Sequence, residues 1–223
     1  MKVMKAFSVV FLVAFLTSLG VNAKPDQNGL EERALYYITT EVGGKTLAWT
    51  HVVPADTPKN LLGTSPSKAK IELMPFKKGD KSQLWVIRPA GVEPKPSYQI
   101  VSALAANDKS PNSPAMIIKI NGDFSGDGDT AFHDANNRIT VGLNQSTTDR
   151  VWVVTRLPNK KFTIRNLLGV KGQLREKGDS YGWAEERAVE AYKTADGSVK
   201  LRHMELSDAA GQQWTIAQDG YLP

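Results

Sequence analysis

The chain has 223 residues, with 28 Lys and Arg against 23 Asp and Glu, and no cysteine. Because 41% of the residues are hydrophobic, the chain can bury a substantial core, which excludes wholesale disorder. The lack of cysteine excludes a disulfide framework, Cys-ligated zinc and a thiol nucleophile, and three histidines leave little room for His-based metal or triad chemistry.

Residues 1–23 have the features of a secretory signal peptide. Two lysines precede an uncharged apolar run at residues 6–20, and Ala23 is a small residue that suits cleavage after it. The alternative is a transmembrane anchor, but a spanning helix needs about 20 apolar residues and this run has about 15. We therefore expect a secreted, extracellular protein.

Cleavage would remove two lysines and lower the net charge from +5 to +3. This charge is weak and the basic residues are scattered along the chain, so neither nucleic acid nor a membrane surface is predicted as a partner.

After a short linker at residues 24–33, a pattern of three strand-like segments occurs three times. The segments are residues 36–38, 71–73 and 83–87 in the first copy, 98–100, 139–141 and 150–154 in the second, and 162–164, 199–201 and 212–216 in the third. Each alternates apolar and polar residues, the period of a half-buried strand, and Gly-rich turn pairs separate them. Three copies with constant order predict a closed, three-fold all-β structure.

One segment of the third copy is ambiguous. By propensity, residues 183–192 could form a short helix. Their position in the repeat instead favours a strand in the second half, paired with residues 199–204, and we expect this strand.

The last segments of the first and third copies carry a recognisable motif. Gln83-Leu84-Trp85 and Gln212-Gln213-Trp214 resemble the Gln-x-Trp motif of ricin B-type β-trefoil lectins, whereas the second copy has Arg150 where Gln is usual. The resemblance implies one β-trefoil domain over residues 34–223, with long loop insertions. Its three lobes would span about residues 34–90, 91–157 and 158–223. It also implies that the repeated tryptophans are structural core residues that pack around the three-fold axis: Trp85, Trp152 and Trp214.

The sugar-binding residues of this family are not retained. Its galactose site resembles a three-part device, with an Asp after an early Gly-x-x-Leu turn, an aromatic after the third strand and an Asn before the motif Gln. The corresponding positions hold Ala48, Met74 and Ser82 in the first lobe, Gly142 and Asp149 in the second, and Arg175, Arg202 and Gly211 in the third. Because the members of a polar clamp act together, we expect no galactose-type site.

Three other aromatic residues are candidates for ligand contact. Trp49 follows the first turn, and Tyr181 lies beside Trp183 in a Gly-rich stretch. They could form a platform that stacks on sugar rings, or they could close the barrel end and anchor an insertion.

An acidic loop fits the spacing of a twelve-residue calcium loop. Its oxygen ligands would come from Asp123, Ser125, Asp127, Asp129 and Asp134. The alternative is a solvated hairpin loop, so calcium is a possible ligand and no cofactor is required. Asn144 begins a glycosylation sequon, which matters only in a eukaryotic host.

No motif of a hydrolase, metalloprotease or nucleotide-binding enzyme occurs, so we expect a protein without catalytic activity. The function that these features favour is lectin-like carbohydrate binding through a non-galactose site, with a glycan or glycoprotein as partner. The alternative is a secreted β-trefoil inhibitor that enters a protease cleft with the Pro-rich loop 54–67 or 107–114. A structural or host-interaction protein is a third option.

Overall fold

The computed structural model describes residues 25–52, 70–91, 96–104, 117–121, 138–142, 151–166 and 187–222. Within these ranges the chain forms strands and two short 3-10 turns, and no α-helix. The strands are β1 (Ala34–Val42), β2 (Lys45–Val52), β3 (Lys70–Pro75), β4 (Leu84–Pro89), β5 (Tyr98–Ser102), β6 (Ile117–Asn121), β7 (Arg138–Gly142), β8 (Trp152–Arg156), β9 (Phe162–Asn166), β10 (Arg187–Lys193), β11 (Val199–Glu205) and β12 (Thr215–Tyr221). Every segment predicted as a strand overlaps one of them, which confirms the all-β class.

Six of the strands close into a ring. Antiparallel pairs join β12 to β1, β1 to β4, β4 to β5, β5 to β8 and β8 to β9. The remaining gap is closed where Phe162 of β9 and Trp214, next to β12, exchange two backbone hydrogen bonds of 2.8 Å. Because a closed sheet has no free edge, this ring does not offer its strands to other chains.

The other six strands form three antiparallel hairpins, β2–β3, β6–β7 and β10–β11. Strands β3, β7 and β11 contact one another, so the hairpins meet at a common point. The register of β10 against β11 runs from Arg187–Glu205 to Lys193–Val199, which confirms the strand predicted in the second half of 183–192. The first half lies outside the described residues.

The repeated tryptophans lie in the core, as predicted. Trp85, Trp152 and Trp214 are each 0% exposed and belong to one cluster of buried apolar side chains. The indole N–H of Trp85 donates to the Trp49 carbonyl oxygen at 3.0 Å, and that of Trp214 donates to the Val189 carbonyl oxygen at 3.1 Å. Two of the indoles therefore fill the core and also tie the ring to a hairpin, β2 or β10.

Residues 25–33, which we expected to form a linker, are packed against the ring. Leu30 is buried in the main core, and the Asn28 side chain donates to the Val154 carbonyl oxygen at 3.0 Å and to the Tyr98 hydroxyl at 2.8 Å. The Asp26 carboxylate accepts hydrogen bonds from the backbone N–H groups of Asn28 and Leu30 and from the Tyr98 hydroxyl. A pattern search for strands misses such a segment, because polar side chains rather than strand pairing hold it in place.

The signal peptide at 1–23 lies outside the described residues and stays a prediction, as do the lobe boundaries. In the part of the chain that the structure describes, no helix is long and apolar enough to span a membrane.

Candidate functional site

Trp49 is a core residue and not a surface platform. It is 0% exposed, and its ring packs edge-on against Trp214 with centroids 5.2 Å apart. Both faces of β2 are buried from Leu47 to His51, because Trp49 packs in the main core and Thr50, on the other face, accepts a hydrogen bond from the Gln83 side chain. The prediction that Trp49 stacks on a ligand is therefore wrong, since its ring has no face open to solvent.

Tyr181 and Trp183, the acidic loop 123–134 and Asn144 lie outside the described residues. Within the described residues, no group of three acidic or histidine side chains is placed to hold a metal ion.

The motif glutamines clamp two equivalent turns, which we call turn A (residues 76–83) and turn C (residues 205–212). In turn A, the Gln83 side chain donates to the Pro75 carbonyl oxygen at 3.0 Å and accepts from the Lys77 backbone N–H at 2.8 Å. In turn C, Gln212 donates to the Glu205 carbonyl oxygen at 2.7 Å and accepts from the Ser207 backbone N–H at 2.8 Å. The buried amide thus closes the chain on itself in the same way at both places.

Turn A has further hydrogen bonds that fix its conformation. The Gly79 backbone N–H donates to the Tyr37 hydroxyl at 2.6 Å, and Gly79 has a φ of 82°, which favours glycine. The Asp80 carboxylate accepts from the Ser82 backbone N–H at 3.0 Å and from its hydroxyl at 2.6 Å. These bonds lower the pKa of Asp80 because they stabilise its charged form.

An exposed aromatic ring stands at the start of turn A. Phe76 is 39% exposed, and its ring packs edge-on against Tyr37, with the ring centroids 4.9 Å apart and the ring planes at 84° to each other. Met74, two residues earlier on the same face of β3, is 41% exposed. Burial raises the pKa of Tyr37, and the nearby Asp219 and Asp80 carboxylates raise it further. An open ring beside carboxylate and hydroxyl groups can stack on a sugar and bond its hydroxyls.

Turn A also concentrates positive charge. Lys77, Lys78 and Lys81 are all exposed and stand within five residues of one another. This cluster is an exception to the expectation that the basic residues are scattered along the chain. The sequence signal is three lysines within five residues after an aromatic residue, but nothing in the sequence shows that the phenylalanine is on the surface.

Two positions of the family's galactose-type pattern make other contacts in the third copy. Arg202 stands where the family pattern has its stacking aromatic, but its guanidinium lies over the Tyr192 ring, 4.4 Å from the centroid, and its Nε donates to Glu190 at 2.6 Å. Gly211 takes the place of the Asn, and a Cβ there would lie 2.5 Å from the Ala191 carbonyl oxygen. Any side chain at this position would collide with the backbone.

The described histidines are shielded from ligands. His51 is 2% exposed and its Nδ1 is 2.8 Å from the Ser102 Oγ. Burial lowers the pKa of His51 to about 4 and that of His203 to about 3, so both are neutral at pH 7. A general base needs access to its substrate, and neither ring has it.

No protein-family model and no curated protein sequence matches the chain. Solved structures are similar at low identity. Cry35Ab1 matches with a TM-score of 0.52 and 16% identity over 87% of this chain, which spans 38% of that protein. The Polyporus squamosus lectin matches with a TM-score of 0.50 and 13% identity over 85% of this chain, which spans half of the lectin.

The designed three-fold symmetric protein ThreeFoil matches with a TM-score of 0.50 and 11% identity, over 82% of this chain and 96% of that one. At such identities the likeness concerns the fold alone. The chain therefore shares its fold with β-trefoil proteins, among them lectins.

Proposed function

We propose that this protein is a secreted, non-catalytic carbohydrate-binding protein that binds a glycan or glycoprotein through a site other than the galactose-type one. The observation that carries the proposal is the Phe76 ring, which is exposed at the end of β3 and packs edge-on against Tyr37. Exposed aromatic rings on rigid elements are the stacking surfaces that sugars use. The shared fold supports the proposal, because the Polyporus squamosus lectin was solved with a sialylated glycan epitope.

In this proposal, Phe76 stacks on the apolar face of a sugar ring. Asp219, on the neighbouring β12, accepts hydrogen bonds from sugar hydroxyls. The domain is a three-lobed trefoil, in which turns A and C are the Gln-x-Trp closures of the first and third lobes. Secretion rests on residues 1–23.

Two earlier expectations extend the proposal. Tyr181 and Trp183 are proposed as a second stacking platform in the third lobe, and loop 123–134 as a calcium site. The inhibitor alternative rests on loops 54–67 and 107–114, which lie outside the described residues, and no observation favours it.

The test is a glycan array followed by titration of the best ligand into the wild type and the Phe76→Ala variant. Loss of a stacked ring weakens binding by about tenfold, because such a contact contributes about 1.4 kcal/mol. Tyr221→Ala is the matched control, since Tyr221 is also a large exposed side chain, 54% exposed. No glycan bound by the wild type would refute the function, and equal binding by Phe76→Ala would refute the site.

A further inference from the structure

We propose that turn A binds an acidic glycan, a saccharide chain that carries carboxylate or sulfate groups. This inference rests on the proposed carbohydrate-binding function and names the class of ligand for the same site. It is carried by the comparison of turn A with turn C, by the rigidity of turn A and by its charge.

Turn C closes in the same way as turn A but contains no lysine, so the lysines of turn A are not needed for the closure. Gln83 and Gln212 make the same pair of hydrogen bonds to the backbone of their turns. Turn C achieves this closure with Leu206, Ser207 and Asp208 and with no basic residue. The fold therefore needs the glutamine but not the cations, and the three lysines of turn A are free to serve binding.

The two turns carry opposite charge. Turn A has three lysines and Asp80, for a net charge of +2, which the Asp219 carboxylate next to Tyr37 reduces to +1, whereas turn C has Glu205 and Asp208 and no cation, for a net charge of −2. Asp80 accepts hydrogen bonds from Ser82 and interacts electrostatically with Lys77, whereas the ammonium groups of Lys78 and Lys81 have no hydrogen bond or ion pair within the described residues. A local surplus of exposed cations attracts an anionic ligand and raises its association rate.

Phe76 stands opposite Thr46 of β2, whose carbonyl oxygen accepts from the Phe76 backbone N–H at 3.0 Å. The Thr46 hydroxyl donates to the Glu41 carboxylate at 2.5 Å, so this carboxylate near Phe76 is already hydrogen-bonded. The cations that follow Phe76 in the chain are therefore those of turn A.

Turn A is held in shape before any ligand arrives. Three side chains accept hydrogen bonds from backbone N–H groups of the turn. Gln83 accepts from Lys77, Tyr37 accepts from Gly79, and Asp80 accepts from Ser82. The backbone positions that carry the lysines are therefore fixed, and less conformational entropy is lost on binding than in a flexible loop.

An acidic glycan matches this surface better than other anions. It offers an apolar ring face to Phe76 and anionic groups to the lysines. A membrane surface would need a larger apolar area than the two partly exposed side chains of Met74 and Phe76. Nucleic acid is disfavoured by the low net charge of the chain.

The experiment compares two variants that lose the same charge. In the turn A variant, Lys77, Lys78 and Lys81 are replaced by Gln. In the control, the exposed Lys160, Lys193 and Lys200 are replaced by Gln. Melting temperatures of both verify folding, and calorimetric titrations use a sulfated heparin oligosaccharide, an oligogalacturonate, a neutral cello-oligosaccharide and vesicles that contain phosphatidylserine.

We expect the wild type and the control to bind at least one of the two acidic oligosaccharides, and the turn A variant to bind it at least about tenfold more weakly. The affinity should also fall as salt is raised, because the charges are screened. Binding of only the heparin or only the galacturonate oligomer identifies sulfate or carboxylate as the group recognised, and either supports the proposal.

Other outcomes overturn it. Equal binding of acidic oligosaccharides by all three proteins would place the anion site elsewhere and leave the carbohydrate-binding function standing. Binding of the neutral oligosaccharide alone would refute the recognition of acidic groups and would also leave the carbohydrate-binding function standing. Binding of vesicles but of no oligosaccharide would assign turn A to a membrane surface. If no saccharide binds in this experiment or on the array, both the function and this inference fail.

Discussion

Replacement of Gln83 by Met tests whether the motif glutamine holds turn A together. The side chain is 2% exposed and makes three hydrogen bonds: to the Pro75 carbonyl, to the Thr50 hydroxyl at 3.2 Å and from the Lys77 N–H. Met has a similar volume, so that little cavity forms. Each lost bond costs about 1 kcal/mol, which gives a destabilisation of about 3 kcal/mol.

Urea denaturation followed by tryptophan fluorescence measures the effect. A loss of about 3 kcal/mol corresponds to a fall in Tm of about 6 to 12 °C for a domain of this size. Gln212→Met should cost less, about 2 kcal/mol, because only two hydrogen bonds are removed. Gln218→Met on the exposed face of β12 serves as the control, with an expected change below about 0.5 kcal/mol. A Gln83→Met protein as stable as this control would show that the clamp does not stabilise the fold.

Two further predictions concern buried positions. Because the pKa of His51 is lowered to about 4, the unfolded chain takes up a proton below pH 6.5 that the folded protein does not, so stability is complete above pH 6.5 and falls towards pH 4. The buried His203 adds a similar fall, because its pKa is also lowered. His51→Gln should therefore remove about half of the combined fall in a pH series of urea titrations. An unchanged slope of stability against pH would contradict this. Gly211→Ala should lower stability by about 1 to 3 kcal/mol, because its Cβ meets the Ala191 carbonyl oxygen, while Gly220→Ala, with open space around it, should not. Equal melting curves for the two Ala variants would disprove the clash.

Ten of the twelve described strands and the three repeated tryptophans could be predicted because both follow local patterns, whereas no pattern predicts β2 or β6. Alternation marks a half-buried strand, and an aromatic residue repeated at intervals of 62 to 67 residues marks equivalent places in the fold. The role of Trp49 could not be predicted in this way. A tryptophan after a turn suits a surface platform as well as a core, and only the packing of β2 between the ring and its hairpin partner decides for the core.

The amino-acid sequence by itself determined the all-β class, most of the strands and the burial of the three repeated indoles, because each depends on local patterns of residues. The tertiary structure alone decided that the ring closes between Phe162 and Trp214, that residues 25–33 pack against Tyr98 and Val154, and that Phe76 stands open beside three lysines. These features depend on contacts between residues far apart in sequence. Exposure and proximity of that kind are set by the packing of the whole chain, and no local pattern encodes them.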